Sequence, residues 1–280
     1  MTKLTIGICV YDDYDGAYFT LQSIRFHNPD ILHRLEFVII NNNPKSKRGE
    51  ALYKFKDWIK EPLTYVEVTD YASPFLKGKI FELANTEYVL VMDCHVLLAP
   101  GCLKKLLDFY DKGQDKGNLL QGPLIYDDLA NVSTHFDLNI WGSHMWGQWA
   151  YDDRGGNPNG KPFEIEATGM GLFSTRKDSW LGFNPKFRGF GGEEGYIHKK
   201  YKMYGKKTLC LPFLRWVHRF ERPDGLPYPN DLKDRFRNYM IGFQETKLDT
   251  NIVVKQFKDV IPADFITEVK RELGINEKQS

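Results

Sequence analysis

The chain has 280 residues, 42% hydrophobic and 27% charged, enough to bury a large core and without a low-complexity tract. With 38 basic and 37 acidic side chains, the formal net charge is +1, which excludes a global field pulling the protein onto nucleic acid or an acidic membrane. Cys9, Cys94, Cys102 and Cys210 show neither paired metal spacing nor a disulfide-like framework, so a reducing, cytoplasmic setting is expected.

Leu4 to Val10 reads as a buried strand that starts almost at once, without a signal-peptide layout. Ala17 to Phe26 reads as a helix and Glu36 to Ile40 as a strand. Glu50 to Ile59 is helical, with Leu52, Phe55 and Ile59 on one face. Leu63 to Val68, Phe75 to Ala84 and Tyr88 to Met92 continue the alternation as strand, helix and strand. This order predicts an α/β fold with a mainly parallel sheet covered on both faces. Ligands of such sheets gather beyond the carboxyl ends of the strands, here after Val10, Ile40, Val68 and Met92.

Pro100 opens a further helix running to about Tyr110, and Leu119 to Tyr126 reads as one strand. Asn131 to Pro162 is rich in Trp, Gly and Asn and reads as irregular chain. Regular structure is expected again from Ile165 to Phe173 and in a helix from Glu194 to Met203. Arg222 to Asp231, with Pro223, Gly225, Pro227 and Pro229, reads as a long loop. Val253 to Leu273 carries two amphipathic stretches broken at Pro262. No apolar run is long enough to span a bilayer, so stable membrane insertion is not expected.

Asp93 and His95 flank one residue at the end of the fourth apolar run. Side chains at i and i+2 of an extended strand point the same way, so both can reach one point beyond the sheet edge. A carboxylate with an imidazole suits Mn2+ or a similar divalent ion, which a departing nucleoside diphosphate needs as it gains negative charge. The same pair also fits a turn-capping Asp beside a surface His. His218, between a short apolar run and the Pro-rich loop, is a candidate third ligand or a structural histidine. Gly189-Phe190-Gly191-Gly192-Glu193-Glu194 runs into a helix. Its glycines permit close backbone approach to a ligand, and its acids lie where a helix dipole favours them. Lys199, Lys200, Lys202, Lys206 and Lys207 form a local basic stretch or a solvated helix face.

These motifs resemble nucleotide-sugar transferases of the family 2-like GT-A class, and most closely the catalytic domains of polypeptide N-acetylgalactosaminyltransferases. Asp93-Cys94-His95 matches their D-x-H motif, and Phe136-Asp137-Leu138-Asn139-Ile140 with Trp141, Trp146 and Trp149 is similar to a second segment. Gly169-Met170-Gly171-Leu172-Phe173, Phe190-Gly191-Gly192-Glu193-Glu194 and His218 follow in the same order. Met170, Phe190, Glu194 and Glu221 depart from the family's residues. Asn41 and Asn42 stand where an acidic pair usually reads uracil; their amide oxygens can still accept a hydrogen bond.

The resemblance implies a Rossmann-like GT-A fold over residues 1–250, with a nucleotide-binding half (1–98), an acceptor-side half (99–250) and an amphipathic helical tail (251–280). It implies Mn2+ or Mg2+ on Asp93, His95 and His218, and a nucleotide-sugar donor, UDP-linked. Val10, Tyr11, Asp13 and Asn41 would hold base and ribose. Lys77, Lys79, Gly171, Gly192 and either Arg219 or Arg222 would sit near the diphosphate or sugar. Glu193 and Glu194 would contact sugar or acceptor, and Trp141, His144 and Trp146 would shape the acceptor side. Transfer is expected to retain configuration, although G-G-E-D-type cousins invert. The acceptor could be a glycan, a lipid-linked saccharide or a hydroxymethylated DNA base. Two other classes stay open, a sugar-nucleotide-binding protein without turnover and a metal-dependent nucleotidyltransferase. Diphosphate or pyrophosphate release separates them.

Overall fold

Three parallel strands, β1 (Leu4–Val10), β2 (Leu35–Asn41) and β3 (Leu63–Glu67), alternate with helices α1 (Tyr14–His27), α2 (Lys47–Phe55) and α3 (Ser73–Leu83), and β4 (Tyr88–Asp93) completes the alternation. The computed structural model describes residues 3–69, 73–222 and 225–275; Pro223 of the expected loop and residues 276–280 of the expected tail lie outside them. Side chains of β2 and β4 alternate between two cores. Phe37, Ile39, Leu90 and Met92 face one, and Val38, Ile40, Val89 and Val91 the other. A sheet buried on both faces needs such continuous apolar runs. Helix α2 begins earlier than expected because Ser46 caps it, accepting from Gly49 N at 2.9 Å, and it tightens into a 3-10 turn at Lys56–Trp58.

The second half runs through β5 (Val96–Leu98), α4 (Cys102–Asp111), β6 (Leu119–Gln121), β7 (Leu124–Ile125), β8 (Val132–Ser133), β9 (His135–Gly142), β10 (Met145–Ala150), β11 (Phe163–Ile165) and β12 (Leu172–Arg176). It ends with α5 (Glu194–Met203), β13 (Thr208–Cys210), β14 (Trp216–His218), α6 (Leu232–Glu245), α7 (Thr250–Phe257) and α8 (Ala263–Glu272). The main sheet has the order β11-β13-β6-β12-β4-β1-β2-β3, and a smaller one the order β5-β14-β7-β8. The main sheet is mixed but mostly parallel, with β12 running antiparallel beside β4. Among the described residues no helix is long and apolar enough to cross a membrane.

Three elements differ from the expectations raised by the sequence. The strand expected over Leu119 to Tyr126 is two strands in two sheets. Pro123 donates no ladder hydrogen bond, and a Cβ on Gly122 would lie 1.7 Å from the Leu214 carbonyl oxygen. The stretch Asn131 to Pro162, expected to be irregular, contains the β9–β10 hairpin. Helix α6 was not expected at all. It packs with α7 and α8 against that hairpin, and Phe136, Trp146, Phe236, Tyr239, Phe243 and Phe257 form a third core. The described part of the tail is thus packed into the body of the protein.

Candidate active site

The ends of three central strands lie side by side, with Cys9 of β1 opposite Asp93 of β4 and Val10 opposite Asn41 of β2. Asp93 N donates to the Gly171 carbonyl at 2.8 Å, tying the motif to the turn before β12. Gly171 is needed there: a Cβ would fall 2.9 Å from the Trp216 ring and 3.2 Å from Asp93 Oδ2. The turn after Asp93 is pinned by buried Thr20 of α1. Its Oγ1 lies 3.0 Å from the Cys94 carbonyl and 2.9 Å from that of Val96, and accepts from Val96 N at 3.0 Å.

Strand β14 pairs antiparallel with β5, His218 opposite Val96, and Arg219 N donates to the His95 carbonyl. This pairing carries His218 across 123 residues to His95, with the two Nε2 atoms 3.1 Å apart. His218 Nε2 is also 3.3 Å from Asp93 Oδ2. Ligands about 2.1 Å from an octahedral cation stand roughly 3.0 Å apart when adjacent. Asp93, His95 and His218, which form one potential metal-holding group, therefore fit such an ion.

The two histidines are held differently. His95 Nδ1 lies 2.7 Å from Asp13 Oδ2, and Arg219 Nη2 grips both oxygens of Asp13 at 2.7 and 2.8 Å. Burial alone would raise the Asp13 pKa, but His95 and Arg219 hold it well below the usual carboxylate range. Arg222 Nη2 donates to His95 Nε2 at 2.8 Å. Nε2 is then an acceptor and Nδ1 carries the proton toward Asp13. His218 Nδ1 is buried without a hydrogen-bond partner among the described residues.

Lys77 is buried, donates to the Met170 carbonyl at 3.0 Å and lies 3.2 Å from Asp93 Oδ1. Desolvation works against its charge, but Asp93, Glu193 and Glu194 outweigh that and raise its pKa. Asp93 in turn stays ionised: burial is opposed by Lys77 and His218, and its pKa falls.

Across the cleft, Glu193 and Glu194 are 1% and 8% exposed, each with an Oε2 lacking a hydrogen-bond partner among the described residues. Burial, then the neighbouring Glu194, push Glu193 up to about 8; burial raises Glu194 as well. Their turn is set by α6. Asn238 Nδ2 donates to the carbonyls of Gly191 (2.8 Å) and Arg188 (2.7 Å), and its Oδ1 accepts from Arg188 N at 2.8 Å. Gly192, at φ +93°, lies against the same side chain: a Cβ there would be 2.9 Å from Asn238 Cβ.

Between these walls lies a cleft of about 400 Å³, within the size range of small-molecule sites. Val10, Tyr11 and Asp13 line one end, Lys77, Asp93, His95, Gly171 and His218 its floor, and Glu193 and Glu194 the far side. Several expected residues lie elsewhere. Asn41 is buried and donates to Gly49 O and Tyr65 Oη, leaving Asn42 on the cleft. Lys79, two positions from Lys77 and so on another helix face, reaches Glu82. Gly192 packs on α6, and Arg219 reaches Asp13. Trp141, His144 and Trp146 do not line the cleft, because α6 and α7 cover their side of the hairpin; Phe136, Met145 and Trp149 line it instead. Asn238, Arg235 and Tyr228 were missed. The spacing of Leu232, Phe236, Tyr239, Met240 and Phe243 is the available signal for the helix that carries Asn238 and Arg235; Tyr228 lies in the loop before it. The basic stretch is largely paired, Lys199 with Glu166, Lys200 with Glu245 and Lys207 with Glu164.

The model of Glycosyl transferase family 2 matches residues 5–174, more than half of the chain. No curated protein matches it. Among solved structures, GalNAc-T7 with UDP, GalNAc and Mn2+ is similar at TM-score 0.71 and 14% identity, over 97% of this chain and 54% of that one. The chain thus spans about half the length of that relative. S. aureus TarS 1–349 in complex with UDP-GlcNAc is similar at TM-score 0.57 and 11% identity, over 96% of this chain and 73% of the other. At such identities the likeness speaks for the fold, while the family model speaks for the sequence. Together they make this chain a member of glycosyl transferase family 2 with a GT-A fold.

Proposed function

We propose that the chain transfers a sugar from a UDP-linked donor to a saccharide acceptor, with Mn2+ or Mg2+ held by Asp93, His95 and His218. The observation carrying this reading is the meeting of their three donor atoms within 4.8 Å of one another on the cleft floor, with His218 Nε2 at 3.1 and 3.3 Å from the other two. Bound there, the ion would neutralise charge on the departing diphosphate. Lys77 takes Asp93 Oδ1 and leaves Oδ2 facing the histidines, and Asp13 keeps His95 Nε2 free of its proton. Tyr11 and Asn42 border the nucleoside end. The unpartnered oxygens of Glu193 and Glu194 meet sugar or acceptor hydroxyls.

In this reading residues 1–98 hold the nucleotide, 99–250 shape the acceptor side, and the tail braces that wall. Phe136, Trp149 and Phe190 offer apolar ring faces to a sugar. A saccharide fits better than DNA because three of the five lysines in the basic stretch, Lys199, Lys200 and Lys207, are paired with acids. Retention of configuration is adopted from the resemblance to N-acetylgalactosaminyltransferases.

A panel of nucleotide sugars, with Mn2+ or with EDTA, tests the reading by the diphosphate released. UDP should appear slowly without acceptor and only with the metal. Pyrophosphate would mean nucleotidyl transfer instead, and tight donor binding without release would mean a binding protein. Proton NMR of the anomeric product decides retention.

A further inference from the structure

Cys94 sits between the two motif residues, 4% exposed, with no role in the chemistry above. Its Sγ is 3.7 Å from Asp13 Oδ2 and 3.5 Å from His95 Nδ1, and those two atoms are 2.7 Å apart. All three residues border the cleft. The geometry points to a second metal site, for a thiophilic divalent ion such as Zn2+, built from Asp13, Cys94 and the Nδ1 side of His95.

Tetrahedral zinc at its usual bond lengths sets sulfur about 3.6 Å from a nitrogen or oxygen ligand, and nitrogen about 3.4 Å from oxygen. Both sulfur edges already have that length. The third edge must widen by about 0.7 Å as the ion replaces the hydrogen bond. The carboxylate is already oriented toward the ion, since Asp13 Oδ1 accepts from Gly16 N and from Arg219. The cleft supplies an entry path and room for a water as fourth ligand. Thiolate and imidazole select zinc over the harder ions suited to the Asp93–His95–His218 set.

Binding releases the thiol proton to water, forms the S–Zn and Nδ1–Zn bonds, and moves the imidazole proton from Nδ1 to Nε2, from which Arg222, now its donor, must withdraw. Nε2 then becomes a donor and cannot ligate an ion beside Asp93 and His218. One imidazole thus serves either site but not both, and zinc inhibits metal-dependent transfer. Only this inhibitory consequence rests on the transferase reading.

Co2+ bound to the metal-stripped full chain tests the site spectroscopically. A near-ultraviolet thiolate-to-cobalt charge-transfer band is expected, displaced by one equivalent of Zn2+. Cys94→Ser should abolish the band and weaken zinc at least ten-fold in competition with a chromophoric chelator. Cys94→Ala, which adds no polar group, should do the same, and His218→Ala should keep both properties. Absence of the band, its survival in both Cys94 variants, or its loss in His218→Ala would overturn the site. In donor turnover, the zinc concentration for half inhibition should rise at least ten-fold in Cys94→Ser; an unchanged value would overturn the inhibition. A chain that turns over no nucleotide sugar would still show the cobalt band, so the two readings fail separately.

Discussion

The floor of the cleft and the wall facing it are assembled in opposite ways. On the floor, Cys9 and Asp93 are opposite each other in neighbouring parallel strands, and Asn42, just beyond β2, donates from its backbone N to the Val10 carbonyl, so strand pairing aligns them. On the wall, Glu193 and Glu194 are aimed by a glycine turn held, through Arg188 and Gly191, by three hydrogen bonds with Asn238, 47 to 50 residues further along the chain. The first arrangement follows from local strand and helix periodicity. The second exists only after two distant helices have packed. Chemistry is concentrated on the floor and dependence on tertiary structure in the wall, and substitutions should separate the two.

The largest effect is expected on the floor. Asp93→Ala removes the carboxylate shared by Lys77 and His218 and should cut metal-dependent UDP release by about 10³-fold, on the scale of losing one preorganised charge at a reacting centre. Lys79→Ala, on another face of the same helix as Lys77, should leave the rate within about two-fold, since exposed ion pairs contribute little. Equal losses in the two variants would remove the distinction between cleft and helix surface.

Trp146→Ala probes the wall from behind. The indole is buried, donates to the Leu138 carbonyl at 2.9 Å and packs on Phe243 at 4.6 Å. Its loss should cost about 4 kcal/mol of stability, measured by denaturant unfolding, with the KM for donor unchanged in the protein that stays folded. A stable variant with weakened acceptor binding would return Trp146 to the acceptor site.

How much could be read in advance follows the same division. The four strand ends, the Asp93–His95 pair and the helix at Glu194 are marked by apolar runs and neighbouring residues, so they were legible. His218 was legible only through the order of the motifs, since β14 finds β5 by long-range pairing. The resemblance puts Trp141 and Trp146 on the acceptor side, whereas in the structure α6 and α7 pack over their face of the hairpin. Without those helices, nothing in the segment shows which face of the hairpin is covered. Asn41 and Asn42 illustrate the finest limit: adjacent residues of an extended chain point to opposite sides, and the structure turns Asn42 to the cleft.

Asn238→Ala strikes the link between the helices. It deletes three hydrogen bonds of a buried side chain, one accepted from Arg188 N and two donated to the carbonyls of Gly191 and Arg188, and should cost about 3 kcal/mol. Displacement of the glutamates should also lower kcat more than the KM for donor, because the nucleotide end is untouched. A loss of stability with unchanged kcat would make Asn238 a purely structural residue.

The smallest effect is the most diagnostic of the acid pair. Glu193 is held protonated to about pH 8 by burial and then by Glu194, against an ordinary value of 4.5. Between those limits the folded state binds more protons than the unfolded chain, so stability falls as pH rises from about 5 to about 8. Glu193→Gln cannot ionise and should lose most of that slope. In thermal unfolding, its Tm relative to the parent should therefore be higher at about pH 8.5 than at about pH 5.5, while UDP release changes less than after loss of Asp93. If parent and variant run parallel across this range, the two acids are solvated in the folded protein, and the orphaned oxygens facing the cleft are not the strained element of its wall.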